Sequence, residues 1–245
     1  AQERGDQWTP LEPDDDAVYD EVIEINLNQL EPLIALPHSP GNVKLVREVE
    51  GKSIDQVCIG SCTNSSLRDL KIVANILKGR TIDKHVSLTI SPGSRQVVDH
   101  LVNSGEMSYL VKAGARILEN TCGPCIGMGQ APSTDAVSLR TFNRNFLGRS
   151  GTKSANAYLI SPETAAVSSI FGKITDPTKF GEYPKIEMPD KFIVNDNMII
   201  SPLRDFESIE IIRGPNIKPL PAFEPLQEKL TGEVLLKVED DITTE

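Results

Sequence analysis

Between residues 51 and 178, short apolar runs alternate with segments of helical spacing, and most runs end in a loop marked by glycine, proline or serine. Asp55-Gln-Val-Cys-Ile59 predicts a buried strand, followed by the polar turn Gly60-Ser-Cys-Thr-Asn-Ser-Ser66. Apolar residues at positions 67, 70, 73, 74 and 77 predict a helix over Leu67–Leu77, stopped near Gly79. Val86-Ser-Leu-Thr-Ile90 alternates as a strand. Ser94 caps a helix to about Asn103, and a second helix runs from Glu106 to Lys112 before Gly114. Ala115-Arg-Ile-Leu118 is the next strand and leads into the loop Asn120-Thr-Cys-Gly-Pro-Cys125. Ala157-Tyr-Leu-Ile160 follows, and Ser161-Pro162-Glu163 opens a helix to about Phe171 with proline at its first position. Repeated strand-loop-helix units predict an α/β fold, a three-layer-like, mostly parallel sheet covered by helices. Such sheets bind ligands outside the carboxyl ends of their strands. Cys62 and Cys122 both follow predicted strands, so that edge can bring them together.

The flanks differ from this centre. Residues 1–50 are an acidic, proline-punctuated lead-in, where Val22, Ile23 and Ile25 predict one short strand and Asp14, Asp15 and Asp16 a solvated segment. Residues 179–245 are a proline-rich linker with a strand predicted at Val234–Val238. The chain opens on Ala1 rather than Met, as a processed chain or an excised piece would. No basic-then-apolar leader is visible, so no secretory signal is expected. The longest apolar runs are far short of the roughly 20 residues that cross a bilayer. Lys plus Arg is 25 against 35 Asp plus Glu, and a net charge of −10 argues against nucleic-acid or anionic-membrane partners.

Four cysteines in 245 residues are too few for a disulfide scaffold, but they cluster. Cys122 and Cys125 form a C-x-x-C pair, with Cys58 and Cys62 about sixty residues upstream. Buried thiols without a ligand are one reading, although two glycines and a proline make poor core material. A four-thiolate zinc site is a second; its spacings are admissible, but Cys58 lies within an apolar strand. A thioredoxin-like dithiol is a third, opposed by the glycines at 127 and 129 where a helix should follow. The fourth is an iron–sulfur cluster on Cys62, Cys122 and Cys125. Three ligands on a four-iron cubane leave one iron free to act as a Lewis acid. Spacing alone leaves these open.

From Ala136 to Pro162 there is no Asp or Glu, while Arg140, Arg144, Arg149 and Lys153 are present. A solvated loop of chance charge and an anion site are both compatible with this. Arginine grips carboxylates through its planar fork, Asn143 and Asn145 add neutral donors, and Gly148 and Gly151 permit close backbone approach.

Gly60-Ser-Cys-Thr-Asn-Ser-Ser66, Thr121-Cys-Gly-Pro-Cys-Ile-Gly127 and Phe142-Asn-Arg-Asn-Phe-Leu-Gly-Arg-Ser150, in this order, resemble the aconitase superfamily. That group comprises aconitases, homoaconitases and isopropylmalate isomerase large subunits, and the variants here look most like the prokaryotic aconitate hydratases. The resemblance implies a fold of the aconitase third-domain type and a 4Fe–4S cluster held by Cys62, Cys122 and Cys125. It further implies that Arg144 and Arg149 bind substrate and that Asn143 contacts the cluster and substrate region, while Cys58 matches no ligand and is expected in the core. The implied reaction is the reversible conversion of citrate to isocitrate through cis-aconitate, in the tricarboxylic acid cycle and in the cytoplasm. A homoaconitase or isopropylmalate isomerase component, or a non-catalytic iron–sulfur or anion-binding module, is the alternative. The family's enzymes are several times longer, and their acid–base residues lie in other domains. No catalytic residue is therefore expected in this chain, which would be inactive alone. The remaining domains, in cis or in a partner subunit, are its expected partners beyond the end at Thr243–Glu245.

Overall fold

The computed structural model describes residues 9–205, 207–240 and 242; Ala1 and Thr243–Glu245 lie outside the described residues. The elements are β1 (Leu33–Ala35), β2 (Val43–Leu45), α1 (Val46–Val49), β3 (Gln56–Ile59), α2 (Leu67–Leu77), β4 (Ser87–Ile90), α3 (Arg95–Asn103), α4 (Glu106–Ala113), β5 (Arg116–Ile117), β6 (Val137–Arg140), β7 (Asn156–Leu159) and α5 (Pro162–Phe171). The chain divides into Ala1–Asn197, which holds all of them, and Met198–Glu245. In the second unit the described residues form turns and segments without helix or strand, with exposed apolar side chains such as Leu220 and Leu235. No helix among the described residues is long and apolar enough to cross a membrane.

One seven-stranded sheet organises the first unit, in the order β2-β1-β7-β6-β3-β4-β5. The run β7-β6-β3-β4-β5 is parallel, as the alternation of strands and helices predicts. The hairpin β1–β2 adds an antiparallel edge through Ala35 opposite Leu159, so part of the first fifty residues completes the sheet. The short strand expected at Val22–Ile25 is absent, and so is the one at Val234–Val238; neither run has a partner strand, and strand hydrogen bonds need one.

The register separates the two faces. Val57 pairs with Leu88 and Leu139, and Ile59 with Ile90, so these apolar residues share one face. Helices α2, α3, α4 and α5 pack on one another as a single layer, and the main core joins that sheet face to Leu70, Val73, Leu77, Ala165 and Ala166. Each fully buried Leu, Ile or Val contributes about 1.5–3 kcal/mol. The opposite face carries Gln56, Cys58, Ser87, Thr89, Ser138 and Arg140, and loops rather than helices cover it. The third layer of the α/β arrangement is thus a loop layer.

Local chemistry sets the helix starts. Ser66 accepts the Asp69 amide while the Asp69 carboxylate accepts the Ser66 amide, a capping box opening α2. Ser94 and Ser161 cap α3 and α5 in the same sense, each accepting an amide three residues on.

Candidate functional site

From β3 the chain passes to β4 and β5 on one side, then returns to β6 and β7 on the other. The loops after β3 and β6 therefore part in opposite directions, leaving a crevice at the carboxyl edge where ligands of open parallel sheets bind. The loop after β3 carries Cys62, the connection after β5 carries Cys122 and Cys125, and the loop after β6 carries Asn143, Arg144 and Arg149.

Short polar contacts tie these loops together. Gly60 N–H donates to Thr141 Oγ1 at 2.8 Å, and Asn64 Nδ2 donates to the Thr141 carbonyl at 2.6 Å. Gly93 N–H donates to Ser65 O at 3.1 Å, and Asn120 Nδ2 to Pro92 O at 2.9 Å. Gly60 sits at φ +83°, and a Cβ there would lie 2.2 Å from the Ser91 carbonyl oxygen. Only glycine permits both that conformation and that approach.

All four cysteines are free thiols. Cys58 is buried in β3 and packs with Cys125, Phe142 and Leu159; burial pushes its thiol up, as a core residue requires. Cys62 and Cys122 are exposed and line one cavity of about 140 Å³ with Pro92, Gly93 and Asn120. The Cys122 thiol is pushed up first by the charge of Cys125, then by burial, then by the charge of Cys62, so the three sulfurs feel one another. Cys125 is buried in the single 3-10 turn Gly123–Ile126 and accepts a hydrogen bond from Arg149 Nη2 at 3.2 Å. Gly127, at φ +88°, ends that turn where a Cβ would meet Ser150 Oγ at 2.6 Å.

This donor set fits an iron–sulfur cluster. Crowded thiols whose charges oppose one another are what a cationic centre relieves. Among the described residues no three His, Cys, Asp or Glu side chains gather around a single-ion point, whereas a cluster is wider than one ion and bridges sulfurs held further apart. Thr63 Oγ1, Arg149 Nε and Ser150 Oγ are buried beside the thiol loops without a hydrogen-bond partner among the described residues. A dithiol redox site is poorly served, because Cys122 heads one 3-10 turn and not the α-helix whose dipole lowers a reactive thiol.

The predicted basic patch separates into distinct roles. Asn143 and Arg144 are exposed at the crevice, and no hydrogen bond or ion pair holds their side chains among the described residues. Arg149 is half-buried, turned to Cys125, with its guanidinium 5.4 Å from the Phe146 ring centre. Arg140 is not a surface charge: it is 1% exposed, on β6. Asn145 is also buried, and its Nδ2 braces the backbone at Leu36 O and Ala157 O. Strand β6 itself escapes the sequence reading, although Val137-Ser-Leu-Arg140 alternates apolar and polar as a strand with one polar face does. A larger cleft of about 290 Å³, lined by Pro32, Ile76, Val167, Phe180 and Tyr183, lies on the helical side and presents no thiol.

The family model described as "Aconitase family (aconitate hydratase)" matches residues 1–172 of the chain. The 3-isopropylmalate dehydratase large subunit 1 of Methanopyrus kandleri is 44% identical over 178 residues, 72% of this chain and 42% of the relative. The 3-isopropylmalate dehydratase large subunit of Clostridium botulinum is 44% identical over 173 residues, 70% of this chain and 41% of the relative. The large subunit 2 from Archaeoglobus fulgidus is 40% identical, covering 72% of this chain and 43% of the relative. The chain thus spans about two fifths of the length of these curated relatives.

Proposed function

The chain belongs to the aconitase family, and from that membership we propose that it is the cluster-holding and substrate-gripping part of a hydro-lyase that dehydrates an isopropylmalate-type hydroxy diacid. The relatives' names favour this substrate over citrate, so the expected place in the tricarboxylic acid cycle is given up. Citrate remains the second reading, resting on the family model's description.

One observation carries the proposal: Cys62 from one loop and the Cys122–Cys125 pair from another meet at the switch point, where Cys62 and Cys122 line one cavity and Arg149 rests on Cys125. The three cysteines would hold a 4Fe–4S cluster. Bound there, it would supply Lewis acidity toward a hydroxyl leaving group. The chain's own residues do the rest. Arg144, with no partner among the described residues, offers a fork to a substrate carboxylate. Arg149 shares its guanidinium between Cys125 and the crevice, and Asn143 adds neutral donors and an acceptor at the rim. Loss of water also requires a base to take the proton from the neighbouring carbon, worth roughly 10²–10⁴-fold. No His, Asp or Glu side chain is hydrogen-bonded into this crevice among the described residues, so we assign the base to a further domain or a partner subunit, as "large subunit" in the relatives' names suggests. Residues 179–245 are then the lead-out toward such a domain, and the four free thiols suit a reducing, cytoplasmic setting.

The test is anaerobic reconstitution of the chain with iron and sulfide, followed by electron paramagnetic resonance and by titration with 3-isopropylmalate and with citrate. A cluster that loses one iron on mild oxidation, bound more tightly by 3-isopropylmalate, is expected. No cluster refutes the metal assignment, tighter citrate binding restores the second reading, and cluster-dependent dehydration by the chain alone refutes an external base.

A further inference from the structure

Arg140 is the one arginine of the acid-free stretch that the proposed function leaves without a task. It is 1% exposed, on the sheet face opposite the helices. Its Nε donates to Ser138 Oγ at 2.9 Å, Nη1 to Pro124 O at 3.1 Å, and Nη2 to Gln56 Oε1 at 3.1 Å and Gln130 O at 3.4 Å. Every acceptor is neutral. Among the described residues no Asp or Glu acts on the guanidinium; the favourable charges come from Cys58 and Cys125, and Arg149 opposes. Phe142 closes the side, its ring centre 5.5 Å away.

The surroundings extend this arrangement. Gln56 Oε1 also accepts from Ser138 Oγ at 2.6 Å. Gln130 is held by Ser87 Oγ at 3.0 Å and by Arg116 Nη1 at 2.8 Å. Four parallel strands thus hold the segment from Pro124 to Gln130, and Cys125 lies inside it. Bracing alone needs no charge, because a glutamine or serine network would do it. A buried cation without an anion is costly in a low-dielectric interior and is retained where an anion balances it.

We infer that Arg140 is the buried counter-charge of the metal centre, a positioning residue that holds the Cys125 loop by its backbone and electrostatically favours the thiolate-bound, electron-rich cluster. This rests on the reading that Cys62, Cys122 and Cys125 hold a 4Fe–4S cluster. Net charge and nearby dipoles set cluster potentials. A fixed positive charge inside the protein favours the more negative, reduced state, so removing it lowers the reduction potential and speeds oxidative loss of iron.

The experiment uses the 245-residue chain reconstituted anaerobically, with a potentiometric titration followed by the paramagnetic signal of the one-electron-reduced cluster. Gln56→Glu is the principal variant. It keeps Arg140 and the acceptor oxygen at 3.1 Å but sets a carboxylate against the guanidinium, cancelling its charge at the same side-chain length, and it gives up the 3.4 Å bond that Gln56 Nε2 donates to Gln130 O. The expected result is a negative shift of the potential in Gln56→Glu and in Arg140→Gln, and a potential near the parent's in Arg140→Lys. Faster appearance of the three-iron signal under a fixed oxidant should accompany the first two. A parent-like potential in Gln56→Glu overturns the inference, whether or not Arg140→Gln folds, and so does a shift in Arg140→Lys as large as in Arg140→Gln. If the parent chain itself assembles no cluster, the thiolate assignment has failed, which is a different result.

Discussion

The hydroxyl of Thr141 accepts the amide hydrogen of Gly60 at 2.8 Å, and through this bond the loop carrying Cys62 is tied to the loop carrying Arg149. Both residues are buried, so no water replaces the acceptor. Thr141→Val keeps the shape and strands the Gly60 amide, which costs about 1–3 kcal/mol. Thr141→Ser retains the oxygen and should cost less than about 1.5 kcal/mol. Urea unfolding of the two variants checks this, and equal midpoints would show that the bond contributes nothing.

The cysteines should divide three to one. Cys62→Ser, Cys122→Ser and Cys125→Ser should each abolish cluster assembly, since each removes a thiolate. Cys58→Ser should leave iron and sulfide content unchanged and lower stability, by placing a hydroxyl in the contact with Phe142 and Leu159. Iron and sulfide analysis after reconstitution decides it. Loss of the cluster in Cys58→Ser would instead point to a four-thiolate site.

The two crevice arginines should differ. Arg144 has no partner among the described residues, so Arg144→Lys should reduce only substrate affinity, by roughly 10–100-fold for a lost charge-assisted bond. Arg149 also donates to Cys125 at 3.2 Å, so Arg149→Lys should weaken both substrate binding and retention of the cluster. The measurement is substrate affinity beside cluster content in the assembled enzyme. Normal affinity in both variants would defeat their assignment to the substrate.

One acid-sensitive contact lies away from the site. Lys179 Nζ stands 2.6 Å from Glu50 Oε2, and that hydrogen bond, followed by the one from the Asp176 amide, holds the Glu50 carboxyl below its ordinary range. A carboxyl depressed on folding adds stability above its unfolded pKa of about 4.3, and loses it as pH falls through the folded value. The pair is exposed and its effect small. Lys179→Met should therefore flatten the acid side of the stability curve and, because the same hydrogen bond holds the Lys179 ammonium above its ordinary range, the far alkaline side as well, as urea midpoints measured across both ranges would show. Parallel acid limbs in parent and variant would mean that the pair is not coupled to folding.

Much of this architecture is local and so was legible in the chain. The apolar spacing from Leu67 to Leu77 and the serines at 66, 94 and 161 mark helices α2, α3 and α5 to within a residue. Cys62 and Cys122 could be placed at one edge because parallel strands all end there. Strand β6 was hidden because its polar residues, Ser138 and Arg140, look like surface chemistry until a loop is known to cover them. The runs at Val22–Ile25 and Val234–Val238 show the opposite failure, strand-like composition without a neighbouring edge.

The sequence by itself therefore determined the helices, most of the central strands and their parallel arrangement, since helix periodicity, capping and loop chemistry act over a few residues. Only the tertiary structure decided what the charges do. Arg140, Arg144 and Arg149 are chemically alike and nine residues apart at most, yet one is sealed under the Cys125 loop, one is exposed at the crevice and one rests on a sulfur. The reason is physical: strand register assigns a side chain to a face, and what covers that face is contributed by residues distant in the chain.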